Sequence, residues 1–249
     1  QLANKRITFS VSNNCDRIYT NVTSMPKLVR PFIQDNNGDS LVELDFGAFN
    51  AFALYRFLIK KINTNEIALQ EEELNGLKTE LYEYGGFLLS EDFYTKLMRQ
   101  SLNNSNDRDK FKKHFLKNWL NAKVENNSKF RKSIESVFPM ISKVITAYKA
   151  KDYKTYSNTF MKMESELVNR TIYKQFGEKY PDATIYTIFD CVLIEFKYSK
   201  ILYKMMIDEG AKFFGVEPRV KVKCLDPRHQ KLIDKITGSN LGNEDLTGE

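Results

Sequence analysis

The sequence has no run of about 18 apolar residues, so no membrane-spanning helix is expected. It has only three cysteines, Cys15, Cys191 and Cys224, which cannot form a fully paired framework and lack zinc-ligand spacing. With His114 and His229 as the only histidines, no structural zinc site is expected. Reduced, intracellular thiols are the default reading, and tripeptides such as Asn21-Val22-Thr23 then read as coincidences. No charged, apolar and small-residue leader opens the chain. It begins at Gln1 rather than Met, so a further domain or partner before Gln1 belongs to the expectation. What is present is core material. Of 249 residues 42% are hydrophobic, 13% aromatic and 28% charged, which excludes a disordered chain and suits one large domain or two small ones.

The net charge of +6 hides an asymmetry. Segment 66–92 carries −7, whereas segment 108–154 carries +9. A concentrated basic stretch is the footprint of a polyanion-binding surface, or else a solvated lysine-rich helix.

Residues 41–45, Leu-Val-Glu-Leu-Asp, read as a strand broken at Gly47, followed by a buried helix over 49–62. Segment 66–100 reads as two helices with a break at Gly85-Gly86. Residues 101–107 read as a loop with a ready N-cap, leading into a basic helix from about Arg108 to about Ala122. Ser136–Pro139 is a break. Tyr153, Tyr156, Phe160, Met163 and Leu167 then recur on one helical face. Runs 183–188 and 192–196 form a hairpin around Phe189-Asp190-Cys191. A helix follows over Tyr198–Phe214, stopped by Gly215, and then an edge strand over Arg219–Cys224. The tail after Asn240 reads as frayed. The class is α+β: a small antiparallel sheet backed by helices, interrupted by an all-helical excursion.

Two carboxylates stand out. Asp45 ends a hydrophobic strand and Asp190 occupies the turn of an apolar hairpin. An unpaired buried carboxylate is costly, but two that converge can hold divalent metal. Two Mg²⁺ ions about 3.5–4 Å apart can activate a hydroxyl and steady a leaving phosphate oxygen. Taken singly, each Asp could equally cap the next element.

The order of these elements resembles the polymerase module of family A DNA polymerases and the related phage-type single-subunit RNA polymerases. Asp16-Arg17-Ile18-Tyr19-Thr20-Asn21, Met25-Pro26 and Arg30-Pro31-Phe32-Ile33 are similar to the family's Gly-Arg-x-x-Ser/Thr stretch and its continuation. Leu41-Val42-Glu43-Leu44-Asp45-Phe46 resembles the first catalytic strand. Arg108-x-x-x-Lys112 resembles the start of the fingers helix, and Ile185-Tyr186-Thr187-Ile188-Phe189-Asp190 the second catalytic hairpin. Phe160–Ser165 lies where the family has a helix beside the template. The resemblance runs from residue 15 to about 224 and rests on the ordered set.

It implies a palm formed by residues 1–62 and 140–226, a helical fingers-like insertion over 63–139, and a tail over 227–249. Asp45 and Asp190 would be the catalytic metal ligands for Mg²⁺. Arg108 and Lys112, four apart on one helical face, would grip the triphosphate, with Lys112 the general acid for pyrophosphate and Lys113 its neighbour in register. Arg17 and Arg30 would touch primer–template backbone or triphosphate; Arg30 could instead pair with a carboxylate. Glu43 shares a strand face with Asp45, as an accessory ligand or an ion-pair partner. The chain departs from the family pattern at several places. Asp16 stands where the family has Gly. Phe189 and Cys191 replace the family's His and acid beside Asp190, and a soft thiol is a poor Mg²⁺ ligand. Leu120-Asn121 replace the Tyr-Gly of the fingers helix. Asn50 replaces the Glu that crowds the ribose 2′-OH, which extends the expectation to ribonucleotide-tolerant or primase-like activity.

The implied function is a compact, template-directed nucleotidyltransferase. Its partners would be nucleic acid, as primer–template or single strand, and nucleoside triphosphates, with no membrane. The implied setting is cytoplasmic, phage or mobile-element contexts included. The competing readings are a polymerase-like palm that serves only as a nucleic-acid or protein scaffold, and an unrelated α-rich interaction protein.

Overall fold

The computed structural model of the chain describes residues 9–90, 92–101, 107–126 and 128–224. The architecture is α+β, as expected from the sequence, and the chain divides into two compact units. The expected tail over 227–249, His229 and most of the 101–107 loop lie outside the described residues.

The described part of the first unit comprises residues 9–47, 164–210 and 219–224. Strands β1 (Phe9–Val11) and β2 (Ile18–Thr20) form a two-stranded antiparallel ribbon. β3 (Val42–Phe46), β4 (Ile185–Ile188), β5 (Cys191–Ile194) and β6 (Val220–Cys224) form an antiparallel sheet in the order β4-β5-β3-β6. The alternation of β3 buries Val42, Leu44 and Phe46 on one face and leaves Glu43 and Asp45 half-buried on the other. β5 is buried throughout and sits inside the sheet. β6 is an edge strand, as its charged–apolar alternation predicts, and its Lys221 and Lys223 are exposed.

The β4–β5 hairpin is tighter than its composition suggests. Cys191 is not part of the turn: it opens β5, pairing with Ile188 on one side and Asp45 on the other. The physical reason is packing. The small thiol joins a core cluster with Val22, Leu41, Ile188 and Leu193. The turn is therefore two residues, Phe189-Asp190.

The second unit comprises residues 48–163 and 211–218. α1 (Phe49–Asn63) buries Phe49, Phe52, Leu54 and Phe57. The expected break at Gly85-Gly86 does not occur, since both glycines lie inside α2 (Glu71–Leu88). Gly85 is buried against Tyr55, and a Cβ there would stand 3.6 Å from that ring, an ordinary contact distance. The chain turns after Leu88. Asp92 then caps α3 (Phe93–Gln100) by accepting from the Thr95 N–H at 2.8 Å. Asp107 caps α4 (Arg108–His114) in the same way. The basic helix expected to run to about Ala122 changes character at Phe115. Phe115–Leu120 forms a wide π-type segment closed by the Asn121 N–H on the Leu116 carbonyl at 2.8 Å. This widening brings Phe115, Trp119 and Leu120 inward together.

α5 (Lys129–Glu135) and α6 (Pro139–Glu164) flank the break expected at Ser136–Pro139, and Pro139 sits where its missing N–H costs nothing. α6 is interrupted at Asp152, whose carboxylate recaps the next turn by accepting from the Thr155 N–H at 3.0 Å. Tyr156, Phe160, Met163 and Leu167 are buried as their spacing predicts. A second π-type segment, Ser165–Tyr173, follows and leads into α7 (Lys174–Lys179). α8 (Ser199–Phe214) ends at Gly215, whose φ of +75° is a helix-stopping conformation that glycine takes readily. The core of the second unit is aromatic. Tyr84 packs against Phe93 and Phe138 at 5.2 and 5.3 Å, and its hydroxyl donates to the Ala51 carbonyl. Among the described residues no helix is long and apolar enough to cross a membrane.

Candidate active site

The sheet places Asp45 on β3 and Asp190 in the turn that opens the neighbouring strand β5. Asp45 on β3 is the register partner of Cys191, and the Phe46 N–H donates to the Asp190 carbonyl at 3.2 Å. Glu43 lies two residues back on the same face as Asp45. The electrostatics agree. Burial pushes the Cys191 thiol far above the usual thiol range, and the carboxylates of Glu43, Asp45 and Asp190 push it further, with Arg30 opposing them. Acids from two segments distant in sequence, Glu43 and Asp45 on β3 and Asp190 in the hairpin turn, thus act on one neutral, packed thiol. Arg30 pairs with Glu43 at 3.8 Å, which makes the carboxylate partner its observed role. Its Nε is buried with no hydrogen-bond partner. Glu43 is correspondingly an ion-pair partner.

The turn that carries Asp190 is strained. Phe189 has φ of +60°, a region that costs an aromatic residue about 1–3 kcal/mol. The Arg17 guanidinium lies 4.5 Å from the centre of the Phe189 ring, and Tyr19 meets that ring edge-on at 5.9 Å. Arg17 is held in turn by Glu164. Its Nε and Nη2 donate to the two carboxylate oxygens at 2.9 and 2.8 Å. Glu164 is 4% exposed. Burial pushes its carboxyl up to about 7, the Arg17 fork restrains the rise, and Asp190 adds to it. Asp16, standing where the resembling family has Gly, has φ of +56°. It therefore takes up a conformation that Gly favours and Asp tolerates. Its carboxylate accepts from Arg170 at 3.0 Å.

Arg108, Lys112 and Lys113 belong to the helical unit, as does Asn50, half-buried in the first turn of α1. Arg108 makes three bonds to Asp92 at 3.2, 3.2 and 2.8 Å and one to Asp109 at 2.8 Å. Burial raises the Asp92 carboxyl, but the Arg108 fork and the Thr95 N–H outweigh it and hold it at about 2. Arg108 thus ties α4 to α3. Lys112 is half-buried, with Nζ 5.7 Å from the centre of the Tyr94 ring, and Lys113 is exposed. Lys110, Lys113 and Lys117 project opposite the buried Phe111 and Phe115. α5 adds exposed Lys129 and Lys132, and packs through Phe130 onto Phe111 and His114 at 5.1 and 5.5 Å. This lysine-rich surface is the structural counterpart of the +9 segment.

Sequence reasoning missed two residues. Glu164 lies within the Phe160–Ser165 stretch, but nothing local marks it as the partner of Arg17. Lys221 stands opposite Asp45 on β6, and the alternating pattern of that strand was its only signal. Among the described residues no three His, Cys, Asp or Glu side chains form a ready metal cage. The donor set of Asp45 and Asp190 fits Mg²⁺, which keeps water and takes one or two carboxylates together with substrate phosphates. No family model and no curated protein matches this sequence.

Proposed function

We propose that the chain is a compact, template-directed nucleotidyltransferase, a family A-like polymerase module acting on nucleic acid and nucleoside triphosphates with Mg²⁺. The observation that carries this reading is that the strand bearing Asp45 pairs with the strand opened by the Asp190 turn, joined there by the Phe46 N–H on the Asp190 carbonyl. The glycine-like backbone of Asp16 and the lysine-rich surface of α4 and α5 support it.

Asp45 and Asp190 would hold Mg²⁺, which when bound lowers the pKa of an attacking hydroxyl and offsets charge on the transferring phosphoryl group. Within the chain, Cys191 stays neutral beside them and fills the core rather than competing as a ligand. By the resemblance alone, Lys112 would be the general acid for pyrophosphate, with its neighbour Lys113 the alternative. Exposed lysines on α4 and α5 neutralise backbone phosphates by displacing counterions. The test is Mg²⁺-dependent extension of a labelled primer with each nucleotide set. Asp45→Asn and Asp190→Asn should each lower the incorporation rate by about a hundredfold or more. Wild-type rates in either variant remove that residue from the mechanism. Ribonucleotide incorporation measured alongside decides what Asn50 permits.

A second reading has its own support. Arg17 and Arg108, both assigned to substrate by resemblance, are engaged by Glu164 and Asp92. A polymerase-like scaffold without catalysis would bind template equally well with both Asp substitutions and without Mg²⁺.

A further inference from the structure

We infer that Arg17 and Glu164 form a clamp that positions the Asp190 turn, with Arg17 acting through the face of Phe189 rather than through substrate. Four observations in the sheet unit carry it. Phe189 holds a left-handed backbone conformation that an aromatic residue adopts only when its surroundings enforce it. The ring packs on the Val22, Leu41 and Ile188 cluster and meets Tyr19 edge-on, and the guanidinium of Arg17 covers it 4.5 Å from its centre. That guanidinium has no freedom to leave, because Glu164 takes it in a two-bond fork and is itself almost wholly buried. The segment bearing Arg17 is also pinned on both sides. The Arg17 carbonyl accepts from the Ser12 N–H at 2.9 Å, Asp16 accepts from Arg170 at 3.0 Å, and Ser165 donates to the Cys15 carbonyl at 3.4 Å. A chain of contacts thus runs from the π-type segment through Glu164 and Arg17 to Phe189, the residue that sets the direction of Asp190.

This assignment explains an otherwise odd sequence choice. Two-residue hairpin turns favour Gly, Asn or Asp where φ is positive, and Phe is among the least suited residues. The ring gains by packing on the core cluster and by offering its face to a cation. Arg offers a planar cation for that purpose, whereas Lys offers a point charge without a fork for Glu164. Arg17 and Glu164 are positioning residues, and Asp190 is the group they position.

Only the catalytic consequence rests on the polymerase reading; the clamp stands without it. The test is native-state amide hydrogen exchange on the full chain, comparing wild type with Arg17→Lys, Phe189→Leu and the double variant. The amides to follow are those of the β4–β5 hairpin and of Phe46, which donates to the Asp190 carbonyl. Each single variant should lower their protection about tenfold while the amides of α2 are unchanged. The double variant should add little, since both changes cut the same contact. Unchanged hairpin protection in Phe189→Leu, which spares the ion pair, overturns the clamp, and so do fully additive losses. If Arg17→Lys does not fold, Phe189→Leu alone decides. In an active enzyme the same variants should lower kcat and leave the nucleotide KM near wild type, and a change confined to KM also overturns the assignment. A wild-type chain without extension activity would refute the polymerase reading while the exchange result still judges the clamp.

Discussion

Both units bury charge, and they do so in opposite ways. In the helical unit Arg131 is 7% exposed and fully answered. It donates to the carbonyls of Lys123, Val124 and Asn126, to the Thr146 hydroxyl and to Glu135. One cation meets one carboxylate and four neutral acceptors, so nothing is left to bind. In the sheet unit Glu164 takes the Arg17 fork, and the carboxylate of Asp190 raises its pKa further. Glu43 and Asp45 act on Cys191 beside it. A buried charge whose neighbours satisfy it is a fastening. Several acids gathered around one packed thiol, with Arg30 and Arg17 answering Glu43 and Glu164, make a charged cluster of the kind that marks functional sites.

The contrast can be broken at its strongest point first. Arg131→Leu should cost about 3–5 kcal/mol, because it leaves Glu135 and buried carbonyls unanswered. Urea denaturation followed by Trp119, the only tryptophan, measures this in the helical unit. A loss under 1 kcal/mol would make Arg131 an ordinary surface charge. Next comes Trp119→Phe, which keeps the aromatic core and deletes the 3.1 Å bond to Ser142. Its expected cost is about 1–2 kcal/mol, read by circular dichroism.

Lys149 sharpens the comparison through pH. It is 3% exposed and donates to the Trp119 carbonyl. Burial lowers its pKa to about 7, with Arg131 adding to the drop and Glu135 resisting it. The unfolded chain therefore binds the Lys149 proton more readily than the folded one between about pH 7 and 10.5. Its contribution should make stability rise with pH across that window. Lys149→Met should flatten the slope and raise stability at pH 6, and an unchanged slope would show that the amine is solvated. The smallest effect is expected at Gly86, exposed within α2 with open space around a would-be Cβ. Gly86→Ala should stabilise by about 0.5–1 kcal/mol in the same assay.

Much of the frame was legible because its signals are local. The alternation of Val42–Phe46, the aspartate cap at Asp107 and the Gly215 stop are read from a few adjacent residues. Local reading failed where packing overrode it. Gly85 looked like a breaker and is a helix residue lying against a ring. Cys191 looked like turn and is core strand. The helix expected to Ala122 widens at Phe115 to turn three large side chains inward. Arg108 looked available to phosphate, yet Asp92, which lay in the acidic segment of the sequence, holds it.

By itself the sequence determined the α+β class, the strand bearing Asp45, the hairpin bearing Asp190 and the concentration of positive charge after residue 108. These follow from periodicity, turn chemistry and composition, which act over a handful of residues. Only the tertiary structure decided which charges meet. The pairs Arg17–Glu164 and Arg30–Glu43, the register of Asp45 against Cys191 and the positive φ of Phe189 depend on chain segments that approach only after folding. Coulombic and hydrogen-bond energies depend on distance in space, and that distance is set by how the strands pack.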